Sequence, residues 1–218
     1  MRRSVLSRFN WAPIGTRLFV AARWRLTPYG RIASFLPKQG RVLDLGCGHG
    51  LLALAALEHA PALEVIGIDH DAGRIRAASR AADGERLVAF STGDLLKPPL
   101  GVFDAIALLD LMHYFEPAEQ VRIFVRAYDQ LRPGGTLLVR EVEPRGGIAS
   151  SFNRFWEKAM TSTGLTHTSK KGLHFRSPAG WKEALERVGF RVRTVPCSFI
   201  LFSDVLFVAE KQSAETMG

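Results

Sequence analysis

Four residues of buried-strand character, Val42-Leu43-Asp44-Leu45, run directly into a turn with glycine at every second position, Gly46-Cys47-Gly48-His49-Gly50. An unbroken apolar, helix-forming segment follows at 51–57. A strand that ends in such a turn and feeds a helix exposes backbone N–H groups where a ligand can approach, because glycine carries no Cβ to hold it off. The spacing is one residue shorter than the dinucleotide Gly-x-Gly-x-x-Gly pattern and lacks the Gly-Lys-Ser/Thr of a phosphate-binding loop. This stretch commits the chain to at least one strand–turn–helix unit of an α/β fold.

Downstream, short apolar runs alternate with amphipathic segments. Strands are expected at 64–69, 87–90, 103–109, 136–142, 191–199 and 205–209, the last two as an antiparallel pair. A helix over 71–82 would place Ala72, Ile75, Ala78 and Ala82 inward. Pro117 opens a second, with Val121, Phe124, Val125, Tyr128 and Leu131 repeating on one face. Ser177-Pro178 opens a third, with Trp181, Leu185 and Val188 inward and Gly189 closing it. In the first 36 residues Trp11, Ile14, Leu18 and Ala22 repeat at helical spacing, with Val20 on the other side. The expected fold is α/β: a Rossmann-like, seven-stranded, mainly parallel sheet with an antiparallel final strand, helices on both faces and an N-terminal helical cap. The expected division is a basic helical cap at 1–36, one domain at 37–210 with a variable substrate segment at 144–176, and a frayed tail at 211–218.

Ligands of open α/β sheets sit beyond the carboxyl ends of the strands, where the strand order reverses. Asp69 falls at such an end, 19 residues after Gly50, where a carboxylate can accept bonds from both hydroxyls of a ribose. Asp94 ends the third strand, where it could accept from an adenine amino group while the Leu95 N–H meets a ring nitrogen. Asp44 precedes the glycine turn and favours a cationic group. The alternative for any one of these acids is a helix N-cap, a role open equally to Asp69 and Asp71.

With its leading acid, the segment from Val42 to Gly50 resembles the first motif of class I S-adenosylmethionine-dependent methyltransferases of the small-molecule type. Gly67-Ile68-Asp69 resembles the second motif, and Gly93-Asp94 the adenine-contacting turn. Phe103-Asp104-Ala105-Ile106 through Leu111-Met112-His113-Tyr114 resembles the fourth, and Leu131-Arg132-Pro133-Gly134-Gly135-Thr136-Leu137 the turn before strand five. The similarity covers about residues 40–145. It implies S-adenosylmethionine as cofactor and extends the candidate cofactor contacts to Asp44, Gly46, Cys47, Gly48, Gly50, Asp69, His70, Gly93, Asp94, Leu95 and Leu109. An acid beside the turn would repel the pyrophosphate of NAD, whereas S-adenosylmethionine has no phosphate and carries a sulfonium and an ammonium.

Methyl transfer is an in-line displacement, and much of its rate comes from aligning the acceptor behind the methyl. A general base is needed only where the acceptor loses a proton. His113, Glu141 and Tyr114 are the catalytic candidates, with Glu143, His167 and His174 behind them. For His113 the alternative is a histidine that merely lines the adenine side. Residues 109–112 read Leu-Asp-Leu-Met rather than the Asn/Asp-Pro-Pro-aromatic tetrad of amino-methylating enzymes, which disfavours base-directed DNA methylation. No metal site is expected: Asp110 and His113 make a weak pair, and His167 with His174 has no cysteine or carboxylate pattern beside it.

Charge is placed unevenly. No acid precedes Asp44, yet Arg2, Arg3, Arg8, Arg17, Arg23, Arg25, Arg31, Lys38 and Arg41 do, so the first 43 residues carry +9. The other 20 basic residues face 21 acids, and the net charge of +8 belongs to the N-terminal segment. Such asymmetry points to an anionic partner: a peripheral membrane or acidic-protein contact through residues 1–41, with nucleic acid ranked below. Two distant cysteines fit a reducing, cytoplasmic setting with or without membrane association. Phe152, Phe155, Trp156, Met160, Leu173 and Phe175 either finish the core or form a lid. The lid reading makes the acceptor a small-molecule or carrier-bound one of apolar, lipid-like or aromatic character, O- or C-methylated. RNA methylation, non-catalytic S-adenosylmethionine binding and NAD-linked oxidoreduction are the alternatives.

Overall fold

The computed structural model describes residues 4–97, 100–143, 172–197 and 203–213. After a short 3-10 turn at Leu6–Phe9 come helices α1 (Ile14–Leu26) and α2 (Tyr29–Ala33). The alternating part runs β1 (Gln39–Leu45), α3 (Leu51–His59), β2 (Ala62–Asp69), α4 (Ala72–Ala81), β3 (Val88–Thr92), β4 (Phe103–Leu109), α5 (Pro117–Gln130) and β5 (Leu131–Glu143). Helix α6 (Pro178–Val188) and strands β6 (Phe190–Pro196) and β7 (Ser203–Lys211) close the chain. Residues 144–171, most of the expected variable segment, lie outside the described residues.

The strands form one seven-stranded sheet in the order β3-β2-β1-β4-β5-β7-β6, with β7 antiparallel to both its neighbours and the other pairings parallel. The order reverses between β1 and β4, so their carboxyl ends diverge and leave the crevice of a doubly wound sheet. Alternate strand residues face opposite layers. Val42, Val65, Ala105 and Leu138 pack with α2 and α3, while Leu43, Ile106, Leu137 and Phe207 pack with α5 and α6. Helix α3 is buried from Leu51 to Leu57, as an apolar surface on all sides requires.

Helix ends follow their sequence signals. Ser177 accepts the Gly180 N–H at the start of α6, and Gly189 closes it in the left-handed region at φ 113°. Glu116 and Glu119 form a reciprocal cap around Pro117 at the start of α5.

Two helix faces, on α5 and α1, differ from expectation, and a third, on α4, differs at one residue. On α5 the buried residues are Gln120, Ile123, Phe124 and Ala127, while Val121 and Val125 are exposed. On α4, Ile75, Ala78 and Ala82 are buried as expected, joined by Ala77 and Ala81, and only Ala72 of the expected set is exposed. On α1, Val20 is 1% exposed, whereas Ile14 is 66% and Leu18 64% exposed. The expected inner stripe of α1 is its outer one. Each of these helices carries apolar residues on more than one arc, and the neighbour chooses which arc is covered.

The α5 assignment predicts that Phe124→Ala costs about 3–5 kcal/mol in urea unfolding. Val121→Ala on the opposite arc should stay within about 1 kcal/mol.

Candidate active site

The glycine turn is folded onto the end of β2. The N–H groups of Gly46 and Cys47 both donate to the Ile68 carbonyl, at 2.7 and 3.0 Å. Gly50 begins α3 with φ 71°, and a Cβ there would lie 2.5 Å from the Phe90 ring. Gly48 is also left-handed, but nothing stands within 4 Å of where its Cβ would be. The turn is therefore closed on its sheet side and open above Gly48.

Asp69 organises this mouth. One carboxylate oxygen accepts the Gly48 N–H and the other the Asp71 N–H, each at 2.9 Å, which leaves lone pairs on both. Its carbonyl accepts the Gly93 N–H at 3.0 Å, bringing β3's end alongside. His70 is exposed, with Nδ1 3.3 Å from the same carboxylate. Asp71, not Asp69, caps α4. Burial opposes its charge, but the Arg74 and Gly73 N–H groups hold its carboxyl below the usual range. Asp94 is exposed and accepts the Leu96 N–H; Leu95 and Leu109 are buried.

Asp44 is 2% exposed, and its Oδ2 finds no hydrogen-bond partner among the described residues. Burial first, and the Asp69 carboxylate second, push its pKa up to about 7. Burial with the same two acids drives the Cys47 thiol well up, so Cys47 is an inert filler. An unused carboxylate oxygen beside a second acid suits an ammonium group and opposes a pyrophosphate. The donors here thus fit S-adenosylmethionine.

A second constellation stands beyond β4 and β5. His113 Nδ1 lies 2.7 Å from Glu141 Oε2, and Glu141 Oε1 accepts the Leu111 and Met112 N–H groups at 3.1 and 2.7 Å. His113 is 3% exposed, and its Nε2 has no hydrogen-bond partner among the described residues. Its ring stacks on Phe175 at 5.0 Å and meets Tyr114 at 4.2 Å. Gln120 fastens the segment: its amide nitrogen lies 3.0–3.1 Å from the carbonyls of Met112, Phe115 and His174, which share its two N–H groups. His167 and Phe152 to Met160 lie outside the described residues, as does the Glu143 side chain.

The N-terminal segment spans both constellations. Arg8 pairs with Glu85 and Trp11 lies against Arg80, while Phe9 and Phe19 pack on the His49 ring at 6.3 and 5.3 Å. Burial foremost, and Arg74 next, lower the His49 pKa to about 4. Arg23 bonds Asp110, Asp110 bonds Arg140, and Arg140 bonds Asp204. Burial would raise Asp110, but the two arginines outweigh it and hold the carboxyl low. Asp110 is thereby consumed as an ion-pair partner. Sequence reasoning missed this chain of charges; its one signal was Arg140, which interrupts the apolar run of Leu137, Leu138 and Val139. Among the described residues no group of three or more His, Cys, Asp or Glu could hold a metal ion.

Residues 42–135 match a family model described as "Methyltransferase domain". The chain is 30% identical to a demethylmenaquinone methyltransferase of Thermus thermophilus, over 78% of this chain and 82% of that protein. It is 25% identical to a demethylmenaquinone methyltransferase of Deinococcus radiodurans, over 88% of this chain and 84% of that one. Its fold matches human N-acetylserotonin methyltransferase, solved in complex with SAM, with a TM-score of 0.66 and 21% identity. That match covers 97% of this chain but 57% of the human enzyme, so the chain spans just over half its length.

The raised Asp44 pKa makes a stability prediction for the ligand-free protein. Its contribution is fully present below the unfolded carboxyl pKa near 3.8 and is lost as pH rises through about 7. Asp44→Asn should therefore raise the melting temperature by several degrees at pH 8, with the gain shrinking toward pH 4 in calorimetric scans.

Proposed function

The chain belongs to the class I S-adenosylmethionine-dependent methyltransferases, and from that premise we propose that it methylates an oxygen or ring carbon of a small, apolar, hydroxylated aromatic or quinol-type acceptor, free or carrier-bound. The cofactor supplies an electrophilic methyl carried on a sulfonium. In this reading Asp44 takes the cofactor's ammonium, and Gly46, Cys47, Gly48 and Gly50 form the backbone cradle. Asp69 and His70 face the ribose, Gly93, Asp94 and Leu95 the adenine, and Leu109 supplies an apolar wall.

The observation that carries the acceptor chemistry is the His113–Glu141 pair. A carboxylate accepts only, so its bond to Nδ1 favours the tautomer that leaves Nε2 as a proton acceptor. Glu141 is itself held by two backbone N–H groups, which fixes the imidazole's orientation. An acceptor hydroxyl presented to Nε2 gives up its proton, and the resulting charge spreads over oxygen and ring carbon. One base therefore serves either O- or C-methylation. Tyr114 and Phe175 supply flat apolar surface beside the base, suited to an aromatic ring. The two relatives named as demethylmenaquinone methyltransferases support a quinone-related ring as acceptor. A complete base-and-orienter pair argues against a purely non-catalytic binder. The apolar outer arc of α1 argues against RNA as the acceptor.

Turnover of a reduced naphthoquinol, followed as S-adenosylhomocysteine, tests this. His113→Gln should lower kcat by about 10²–10⁴ with cofactor affinity unchanged in calorimetry; wild-type turnover in that variant removes the base assignment. Cofactor affinity in the wild type should weaken by up to about tenfold per pH unit below 7, because the ammonium needs ionised Asp44. Asp44→Asn should bind weakly and flatten that dependence.

A further inference from the structure

Helix α1 is amphipathic the wrong way round. At about 100° per residue, Ile14, Leu18, Ala22, Leu26 and Phe19 fall along one arc of roughly 140°. All five are exposed, Ile14 and Leu18 by about two thirds of their surface. The opposite arc faces the molecule: Val20 is buried, Trp24 stacks on Tyr29 at 5.5 Å and Arg23 reaches Asp110. Contiguous exposed aliphatic and aromatic side chains on one helix face mark an interaction site rather than scatter.

The charge around the arc identifies what it meets. Arg17 and Arg25 flank or enter it and are exposed, as is Arg31 on α2. No acidic residue occurs anywhere before Asp44. A helix with a mainly apolar free arc, Arg17 at its border, Arg25 near its C-terminal end able to reach back to headgroups, and no acids has the composition of one that lies in the interface of an anionic bilayer. A second protein copy would bring the same positive charge against itself. We propose that α1 docks this protein on anionic lipid, with Ile14, Leu18 and Leu26 entering the acyl boundary and Arg17 and Arg25 on the headgroups.

The docking face is also joined to the site. Phe19, at the edge of the exposed arc, packs on His49 of the glycine turn, and Arg23 grips Asp110 three residues before His113. The bilayer face and the mouth of the cleft are thus opposite sides of one helix. An apolar acceptor could pass from lipid into the cleft with little exposure to water. The docking itself stands whatever the acceptor proves to be.

Co-sedimentation of the full chain with equimolar phosphatidylglycerol–phosphatidylcholine vesicles, against pure phosphatidylcholine, tests this without using turnover. The wild type should bind the anionic vesicles and lose most of that binding in high salt. Ile14→Glu/Leu18→Glu should reduce partitioning by about tenfold or more, and Arg17→Glu/Arg25→Glu by a similar factor. Both variants should keep wild-type melting and S-adenosylmethionine affinity, since these side chains touch neither core nor cleft. Failure of the wild type to bind, or undiminished binding by the Ile14/Leu18 variant, overturns the proposal. So does a dimer in sedimentation equilibrium that the same variant dissolves, which would assign the face to a second copy. Normal turnover alongside absent vesicle binding would leave the active-site reading standing and remove only this one.

Discussion

Asp69, through its carboxylate and its backbone carbonyl, ties together the three segments on which the cleft depends. It fixes the glycine turn through Gly48, the approach to α4 through Asp71, and through its own carbonyl the chain leaving β3. Placing it there sets it near Asp44, which is buried and has no hydrogen-bond partner for Oδ2 among the described residues. Two acids brought together away from water are a local electrostatic conflict, and the ligand-free fold tolerates it at Asp44's expense. Conflicts of this kind concentrate where a ligand of opposite charge resolves them. The same arrangement favours a cation over a pyrophosphate beside the glycine turn.

A second device holds the N-terminal segment to that cleft. Arg23, Asp110, Arg140 and Asp204 alternate in sign across α1, the end of β4, β5 and β7, and together they are neutral. Such a chain contributes little net stability compared with apolar packing, but removing one member strands a buried charge at a cost of roughly 3–5 kcal/mol. Its value is geometric. Asp110 sits in the left-handed region at φ 53°, secured by its two arginines and by its own N–H on the Arg140 carbonyl. That turn directs the chain into the segment carrying His113, where Glu141 from the next strand receives it. The glycine turn, His113 and the N-terminal helix are consequently joined through adjacent strand ends.

Helix ends and strand positions were legible in the sequence because each rests on a local cause: Ser177 and Gly189 bound α6, Pro117 opens α5, and 105–109 is an unbroken apolar run. Helix facing was less so. In α5 the 3.6 period fits Val121, Phe124 and Val125 as well as Ile123, Phe124 and Ala127, and the docking of α6 against Phe124 through Trp181 decides between them. In α1 the larger aliphatics lie on one arc, and reading them as the inner face follows the usual hydrophobic rule. That rule fails because Arg23 and Trp24, on the other arc, find partners in Asp110 and Tyr29.

By itself the sequence determined the α/β order, the glycine turn after the first strand and the acids at the strand ends, because spacing and turn chemistry act over a few residues. Only the tertiary structure decided that Glu141 orients His113, that Asp110 is spent on arginines, and which side of α1 is left bare. Those pairings join residues 28 to 87 positions apart, and nothing in local periodicity encodes which buried charge will meet which.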